Sequence, residues 1–329
     1  MNWQGKRVLV TGAAGFIGSH LTEELLRQGA YVRAFIRYHP RQFPQFLAQA
    51  HQKYRRRLEL FTGDIRDLDA VQKAVEGAHA VFHLAASISI PYSFERPNEV
   101  FHVNALGTAH VLLAAKNHRT PRLIVTSTSE VYGTAQWVPI TEQHPLSPQS
   151  PYAASKVAAD AMATSFHRSY LLPVTILRPF NTFGPRQSMR AIIPTIIVQA
   201  LKTGVVKLGN LRPTRDFTFV SDMVNGFLKI AACSKAAGQT LQLGTGREIS
   251  MGDLAEKIAS AMGKKIRIMR EDRRKRNPLS EVDRLLSSSE KVQSLTGWKP
   301  EVSLEQGLRK TITWMKRNQH LYSSTDYQI

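Results

Sequence analysis

Short β-branched runs alternate with amphipathic segments through the first half of the chain. The runs that predict strands are residues 8–11, 31–36, 58–61, 80–84, 123–126 and 174–177. The segments that predict helices are residues 16–27, 68–75, 100–116 and 152–170. Alternation of this kind is typical of a parallel sheet wound in the right-handed sense with helices on both faces. We therefore predict an α/β fold with a doubly wound parallel sheet.

The second half of the chain is less regular. After Pro179 further prolines interrupt a region with one apolar helix near residues 192–201, while residues 239–243 read as a strand that could return to the sheet. Later helices are predicted at 254–262 and 304–316. We expect residues 1–179 to form the first unit, with 216–245 returning to it. Residues 180–320 should form mainly a smaller mixed α/β lobe, and 321–329 a frayed tail.

Composition narrows the class of protein. The 329 residues are 43% hydrophobic and 21% charged, which is ordinary for a folded, soluble chain. The net charge of +19 could serve a nucleic acid, an anionic membrane or a phosphorylated small molecule, or could be a solvated surface. Much of the excess sits in the runs 55–57 and 273–276, which lack the interleaved aromatic residues of a single-strand binding surface. We favour a small-molecule partner over nucleic acid or membrane.

Cysteine and histidine usage excludes other classes. Cys233 is the only cysteine, so an internal disulfide or a multi-cysteine metal site is impossible. The histidines form no metal-binding motif, and His83 at a strand end is expected to be packed and hydrogen-bonded; no metal is predicted. With no signal-peptide pattern and no apolar run of membrane-spanning length, we expect a cytoplasmic protein.

A glycine-rich turn follows the first predicted strand. The sequence VLVTGAAGFIG, residues 8–18, places Gly12, Gly15 and Gly18 between a strand and a helix that opens with Phe16 and Ile17. Glycines let a backbone turn sharply and approach a pyrophosphate, whose charge is stabilised by amide donors at the helix N-terminus. The turn predicts a dinucleotide site.

The end of the second predicted strand indicates which dinucleotide binds. An NAD site usually carries an acidic residue there for the ribose hydroxyls, but this chain has Arg37, which suits a 2′-phosphate. Arg33 and Arg41 could reinforce that surface or simply be exposed, and Asp64 could meet the adenine. We expect NADP, with NAD as the alternative.

Tyr152 and Lys156, in the sequence YAASK, are four residues apart and share one face of a predicted helix. A neighbouring ammonium and the nicotinamide cation would favour the tyrosine phenolate, which could then act as a base near neutral pH. Taken alone, such a pair could equally lie along a helix surface. The upstream glycine turn favours the catalytic interpretation.

Several motifs together resemble the extended short-chain dehydrogenase/reductase family. They are TGAAGFIG, HLAA at 83–86, STSEVYG at 127–133, YAASK, and RPFNTFGPRQ at 178–187, and the resemblance covers nearly the whole chain. It implies a Rossmann fold, a nicotinamide cofactor, a nucleotide-sugar substrate and a homodimer formed by residues 100–116 and 152–170. It also implies a catalytic triad of Thr128, Tyr152 and Lys156. Further cofactor contacts implied by the resemblance are Ile65, Leu84, Ala85 and Ala86.

Glu130 separates the subfamilies. Sugar 4-epimerases usually carry small or neutral residues in this stretch, whereas 4,6-dehydratases that resemble GDP-mannose dehydratase carry Thr-Ser-Glu, as here. Once C4 of a sugar is oxidised, a carboxylate can remove the C5 proton and help expel the C6 hydroxyl as water. The chain departs from dTDP-glucose dehydratases, which have Asp at the position of Ser129, so Glu130 could serve both tasks. UDP-glucuronate decarboxylases share Thr-Ser-Glu, and Glu130 could alternatively cap the following turn.

The resemblance also assigns substrate contacts. They are Ser87, Thr128, Asn181, Arg215 and Arg276, the arginines being suited to phosphate oxygens. The motif details look closest to UDP-N-acetylglucosamine 4,6-dehydratases of the legionaminic-acid type. The predicted activity is therefore dehydration of an NDP-sugar, with UDP-glucuronate decarboxylation or 4-epimerisation as alternatives. A noncatalytic dinucleotide-binding protein is a further alternative, which the retained triad disfavours.

Overall fold

The computed structural model describes residues 2–38, 44–274 and 277–322. Its strands are β1 (Arg7–Thr11), β2 (Tyr31–Ile36), β3 (Leu58–Thr62), β4 (Ala80–His83), β5 (Leu123–Thr126), β6 (Val174–Pro179), β7 (Asn181–Phe183), β8 (Val205–Leu208), β9 (Thr214–Phe219), β10 (Thr240–Leu243), β11 (Glu248–Ser250), β12 (Arg267–Arg270) and β13 (Arg284–Leu285). Its α-helices are α1 (Phe16–Arg27), α2 (Ala48–Lys53), α3 (Leu68–Val75), α4 (Ile90–Glu95), α5 (Pro97–Phe101), α6 (Gly107–Asn117), α7 (Pro151–Tyr170), α8 (Ile192–Lys202), α9 (Val220–Ala232), α10 (Met251–Met262), α11 (Glu290–Thr296) and α12 (Leu304–Arg317).

The main sheet has seven parallel strands in the order β10-β6-β5-β4-β1-β2-β3. Its central strands are buried on both faces, which explains why they read as continuous apolar runs in the sequence. The strand order reverses direction between β1 and β4, and in sheets of this kind a ligand crevice lies at that point, outside the carboxyl ends of the strands. The predicted doubly wound Rossmann fold is confirmed.

A smaller mixed lobe lies beyond β6. Strand β9 pairs with β7, β11 and β13, while β8 and β12 form a separate two-stranded sheet. Of the segment 216–245, the first residues belong to β9 in this lobe, but α9 packs Phe227 against Phe82 of the main sheet and β10 extends that sheet. We propose the domain division 1–179 and 180–320 with 220–243 assigned to the first unit.

The predicted helix 100–116 is divided into three parts. Helix α5 ends at Phe101, a wide π-turn covers His102–Leu106, and α6 begins at Gly107. The side chain of Asn104 in the π-turn both accepts from Ser87 N (2.8 Å) and donates to Ser87 O (3.0 Å) in the loop after β4. The π-turn thus lies where the side chain of Asn104 holds the loop after β4.

Several short helices carried too weak a periodicity to be predicted, among them α2, α4 and α11. Helix α10 begins at Met251, three residues before the predicted start, because the hydroxyl of Ser250 accepts a hydrogen bond from Asp253 N at 3.1 Å and caps the first turn. Within residues 2–38, 44–274 and 277–322, no helix combines the length and apolarity needed to cross a bilayer.

Candidate active site

The glycine turn between β1 and α1 forms the floor of the crevice. Gly12 has φ +68°, and a Cβ added there would lie 2.8 Å from Ala85 N, while one at Gly18 would lie 2.2 Å from Gly12 O. Only glycine allows the turn, the helix and the loop after β4 to approach this closely. Helix α1 starts at Phe16, directly after Gly15, so its first amides lie beside the turn. This cradle fits the pyrophosphate of a dinucleotide.

The residues predicted to contact the adenosine of a dinucleotide lie on β2 and directly after β2 and β3. The guanidinium of Arg33 makes hydrogen bonds within the protein, since it donates to Glu59 Oε2 (2.9 Å) and to Ala74 O (2.9 Å). Arg37 is exposed directly after β2. The side-chain hydrogen bond from Arg66, at 2.6 Å, holds the pKa of Asp64 below its usual range, and the charge of Arg37 lowers it further. Arg41, also considered from the sequence, lies outside the described residues.

The four further predicted cofactor contacts lie after β3 and after β4. Ile65 is buried, and its side chain would lie 2.9 Å from a Cβ added at Gly107. The backbone amides of Leu84 and Ala85 both donate to Thr11 Oγ1 at 3.1 Å, which ties the loop after β4 to β1. Ala86 follows in the same loop. Leu84 and Ala85 thus lie directly beside Gly12 of the glycine turn.

His83 is a structural residue. Its ring bonds Thr11 Oγ1 (2.8 Å) and Thr108 Oγ1 (3.0 Å), and burial together with the nearby charge of Lys156 lowers its pKa to about 3. A neutral imidazole bonded on both nitrogens has no capacity left for a metal or a proton shuttle. The expectation of a packed, hydrogen-bonded histidine is confirmed. Within the part of the chain that the structure describes, His, Cys, Asp and Glu side chains do not gather in groups of three or more suited to a metal ion.

Tyr152 lies in the first turn of α7, at the carboxyl edge of the sheet. Ser150 caps this helix by accepting from Ala153 N at 3.1 Å, and Pro151 occupies its first position. Burial raises the pKa of Tyr152, a hydrogen bond with the Thr128 side chain lowers it, and the charge of Glu130 raises it. Tyr152, Thr128 and Glu130 therefore lie together.

Lys156 lies one helical turn beyond Tyr152. Its Nζ donates to Thr126 O at 2.9 Å at the end of β5, and burial lowers its pKa to about 8. The amine is thus anchored to the sheet below Tyr152, where a ribose could be bonded by its remaining donors.

Glu130 lies in the single helical turn Ser129–Tyr132 that follows β5. Thr128 caps this turn by accepting from Glu130 N at 3.2 Å, so the carboxylate of Glu130 is not the cap. Its Oε1 lies 3.8 Å from Nε of Arg215, and only 13% of the Glu130 side chain and 8% of the Arg215 side chain are exposed. Ser129 is almost fully buried at the start of the turn.

Arg215 reaches this point from β9 of the second lobe. The neighbouring Asp216 fastens that strand, since its carboxylate accepts from Thr245 Oγ1 and Ser287 Oγ, each at 2.6 Å. Asn181 starts β7 and pairs with Phe217 of β9, so it lies on the same sheet as Arg215. Arg276 lies outside the described residues.

The structure places three further residues at this site that sequence reasoning missed. Asn104 holds Ser87 and also donates to Ser155 Oγ at 2.9 Å. Asp160 and Arg178 form a buried ion pair, with Arg178 Nη2 at 2.9 Å from Asp160 Oδ2. A signal existed for the pair, because Asp160 continues the face of Tyr152 and Lys156 at four-residue spacing.

Comparisons with known proteins show the family to which the chain belongs. The family model described as GDP-mannose 4,6 dehydratase matches residues 9–311. A UDP-glucose 4-epimerase of Mycolicibacterium smegmatis is 33% identical, covering 94% of this chain and 98% of its own. A dTDP-D-glucose 4,6-dehydratase of Homo sapiens is 31% identical, covering 98% and 93%.

Solved structures agree as well. A dTDP-glucose 4,6-dehydratase from Streptomyces venezuelae, solved with NAD and TYD bound, superposes with a TM-score of 0.88 at 30% identity, covering 97% of this chain and all (100%) of that one. The chain therefore belongs to the GDP-mannose 4,6-dehydratase type of the extended short-chain dehydrogenase/reductase family, and it is an enzyme of the nicotinamide-dependent nucleotide-sugar dehydratase/epimerase group.

Proposed function

We propose that the chain is an NDP-sugar 4,6-dehydratase whose substrate is UDP-N-acetylglucosamine. The observation that carries this proposal is the largely shielded carboxylate of Glu130, only 13% exposed, beside Thr128 and Tyr152. Oxidation at C4 alone needs a hydroxyl base and a hydride acceptor, so a 4-epimerase has no task for this carboxylate. Elimination across C5 and C6 requires a group that moves a proton at that edge of the sugar.

In the first step Tyr152 removes the proton of the sugar C4 hydroxyl. The hydroxyl of Thr128 is hydrogen-bonded to the Tyr152 oxygen and to the sugar O4. Burial opposes loss of the tyrosine proton, so the positive charge of Lys156 is needed to stabilise the phenolate. Gly12, Gly15 and Gly18 would hold a nicotinamide dinucleotide, which when bound supplies the hydride acceptor for C4 and the hydride donor for C6.

In the second step Glu130 takes the C5 proton, which the C4 ketone has made acidic. The C5–H pair of electrons expels the C6 hydroxyl, and the proton held by Glu130 leaves with that hydroxyl as water. Ser129 has no acidic proton to give at neutral pH, so Glu130 performs both transfers. Elimination leaves a 4-keto sugar with a C5–C6 double bond, and return of the hydride to C6, with a proton from solvent delivered to C5 through Glu130, gives the 4-keto-6-deoxy sugar.

Contacts with the nucleotide come from both lobes in this proposal. The positive charge of Arg215 is proposed to contact the pyrophosphate, Asn181 lies on the same sheet, and Ser87 is held in the loop after β4 by Asn104. Arg276 is proposed as a further phosphate or ribose contact on the resemblance alone. We also propose a homodimer.

For the cofactor we propose NADP. Arg37 stands exposed at the end of β2, where an acidic side chain would otherwise meet the ribose hydroxyls. The relative from Streptomyces venezuelae was solved with NAD, which supports the alternative. Competition between the two dinucleotides decides between them.

A second candidate is decarboxylation of a UDP-uronate. The observation that favours it is the guanidinium of Arg215, whose Nε lies 3.8 Å from Glu130 Oε1; in this candidate that cation would bind the C6 carboxylate instead of the pyrophosphate. After oxidation at C4, such a substrate loses carbon dioxide in place of water, while Glu130 is not required to act as a base at C5.

The test is the mass of the product from three substrates, UDP-N-acetylglucosamine, GDP-mannose and UDP-glucuronate. Loss of water from the first supports the proposal in full, and loss of water from the second alone supports the reaction but not the substrate. Loss of carbon dioxide from the third establishes the decarboxylase. Turnover without change of mass establishes an epimerase and overturns the proposal.

A further inference from the structure

A chain of buried charges extends from the catalytic helix into the interior. Lys156 and Asp160 lie one turn apart on α7, and Arg178 lies near the end of β6. Lys156 and Asp160 are each 3% exposed and Arg178 is 5% exposed. Arg178 places both Nε and Nη2 at 2.9 Å from Asp160 Oδ2. Three charged groups, in the order positive, negative and positive, therefore follow one another in the protein interior.

The chain continues from Arg178 toward the second lobe. Its Nη1 donates to the hydroxyl of Tyr132 at 3.0 Å, and that hydroxyl donates to Gln242 Oε1 at 3.0 Å. Gln242 on β10 in turn donates from Nε2 to Ile140 O and to Ser288 O, the latter at 2.6 Å. The guanidinium also lies over the Tyr132 ring, 4.9 Å from its centroid. These contacts hold the Arg178 guanidinium in position, and the guanidinium in turn holds the Asp160 carboxylate.

A buried ammonium needs a counter-charge to stay ionised. Burial lowers the pKa of Lys156, and Asp160 is the group that opposes this effect. Burial also raises the pKa of Asp160, but Arg178 counteracts that rise and favours the carboxylate. Lys156 is therefore supported by a carboxylate that depends on Arg178 for its own charge.

The other groups around this chain are few among the described residues. On β4, His83 is neutral; on α7, Tyr152 lies one turn before Lys156; after β5, the hydroxyl of Ser127 lies against Asp160. The charge of Glu130, in the turn Ser129–Tyr132, raises the pKa of Tyr152. None of these groups, but the carboxylate of Asp160, supplies the charge that stabilises the ammonium of Lys156.

We propose that Asp160, held by Arg178, is a positioning residue that keeps Lys156 charged and in place below Tyr152, and so sets the alkaline limit of the first hydrogen transfer. The inference rests on the proposed role of Tyr152 and Lys156. It is independent of the chemistry after C4 oxidation, because dehydratase, decarboxylase and epimerase all begin with that step. Asp160 touches neither the cofactor cradle nor the sugar contacts, so its loss should act on rate rather than on substrate affinity.

The first experiment uses Asp160→Asn in the whole enzyme loaded with cofactor. The rate of nicotinamide reduction in a single turnover is measured against pH with the sugar nucleotide that the wild-type enzyme oxidises. The amine of Lys156 should lose its proton more readily without Asp160, so the alkaline limb should move down by about one pH unit, with KM unchanged. Asp160→Glu should restore most of the wild-type profile. A profile that keeps its alkaline limb in Asp160→Asn overturns the proposal.

A second variant guards against misfolding. Asp160→Asn alone leaves Arg178 buried without its partner, which is destabilising, whereas Asp160→Asn with Arg178→Gln removes both charges. The double variant should fold and still show the shifted limb. If it folds but titrates like the wild type, the ion pair is only structural and the proposal fails.

A third readout needs no activity. Only a neutral amine reacts with acetic anhydride, so the pH at which Lys156 becomes acetylated, followed by peptide mass spectrometry, reports its ionisation directly. The onset should move to lower pH in Asp160→Asn and in the double variant. An unchanged onset in both overturns the proposal, whether or not the enzyme proves to be a dehydratase.

Discussion

Nε of Arg215 lies 3.8 Å from Oε1 of Glu130, and the two side chains belong to different lobes. Glu130 follows β5 of the main sheet, and Arg215 lies on β9 of the second lobe. A largely shielded carboxylate and a buried guanidinium at this distance stabilise one another only while both are in place. The pair therefore joins the proposed proton-transfer group to the proposed pyrophosphate contact.

Replacement of Glu130 should separate oxidation from elimination. Glu130→Gln keeps the size and a hydrogen-bonding oxygen but removes the base, so formation of the 4-keto-6-deoxy product should fall by about 10²- to 10⁴-fold. Nicotinamide reduction in a single turnover should survive, and exchange of the C5 hydrogen with deuterium oxide should be lost. Product mass and near-ultraviolet absorbance measure the two halves.

Two controls accompany this prediction. Glu59→Gln changes a glutamate that pairs with Arg33 away from the site and should leave turnover unchanged. Tyr152→Phe should instead suppress nicotinamide reduction itself. Wild-type turnover by Glu130→Gln would show that Glu130 has only a structural role.

Removal of the Arg215 cation should weaken nucleotide binding. Arg215→Met loses charge-assisted hydrogen bonds to the pyrophosphate, so KM for the sugar nucleotide should rise by about 10- to 100-fold. Arg284→Met on the adjacent β13 is a matched control, since Arg284 is half-exposed and pairs with Glu248. Calorimetry with UDP measures the loss directly. Equal affinity of UDP for Arg215→Met and wild type would contradict the assignment.

The sheet was predictable because its strands and helices have strong periodicities of their own. The apolar runs of β1, β4 and β5 and the turn at Gly12 are local signals, and each lies where the sequence predicts it. The proximity of Thr128, Tyr152 and Lys156 also follows once parallel strands bring their carboxyl ends to one edge.

The rest depends on contacts between distant segments. The pairing of Glu130 with Arg215 joins residues 85 positions apart (215 − 130), and no local pattern in the sequence encodes it. The π-turn at Asn104 accompanies the hydrogen bond that the Asn104 side chain accepts from Ser87 N in another loop. The burial of Asp160 cannot be predicted from the sequence alone, because a single acidic residue on a helix is usually solvent-exposed.

Arg37 should govern the choice of dinucleotide. Arg37→Asp removes a cation suited to a 2′-phosphate and supplies an acceptor for ribose hydroxyls, so the ratio of NADP to NAD affinity should fall by about 10- to 100-fold. Arg33→Lys, at a residue already bonded to Glu59, should leave that ratio unchanged. Fluorescence titration measures both affinities. A wild-type enzyme that releases only NAD would contradict the prediction.

Helices α6 and α7, with the π-turn before α6, should form a dimer interface. Large apolar side chains are exposed on these elements and at the end of α5 that leads into them, namely Phe101 (48%), Leu106 (41%) and Met162 (38%). Light scattering at micromolar concentration should give twice the chain mass, and Met162→Glu should give the monomer. Leu279→Glu, at a more exposed apolar residue in the second lobe, should remain dimeric. A monomeric wild type would contradict the interface.

The fate of the C4 hydrogen tests the central claim most directly. UDP-N-acetylglucosamine carrying deuterium at C4 is incubated with the cofactor-loaded enzyme, and the product is examined by mass spectrometry and NMR. A 4,6-dehydratase should yield a 4-keto-6-deoxy sugar that has lost one water and carries the deuterium at C6. A product of unchanged mass with deuterium still on C4 would contradict the dehydratase assignment and establish an epimerase.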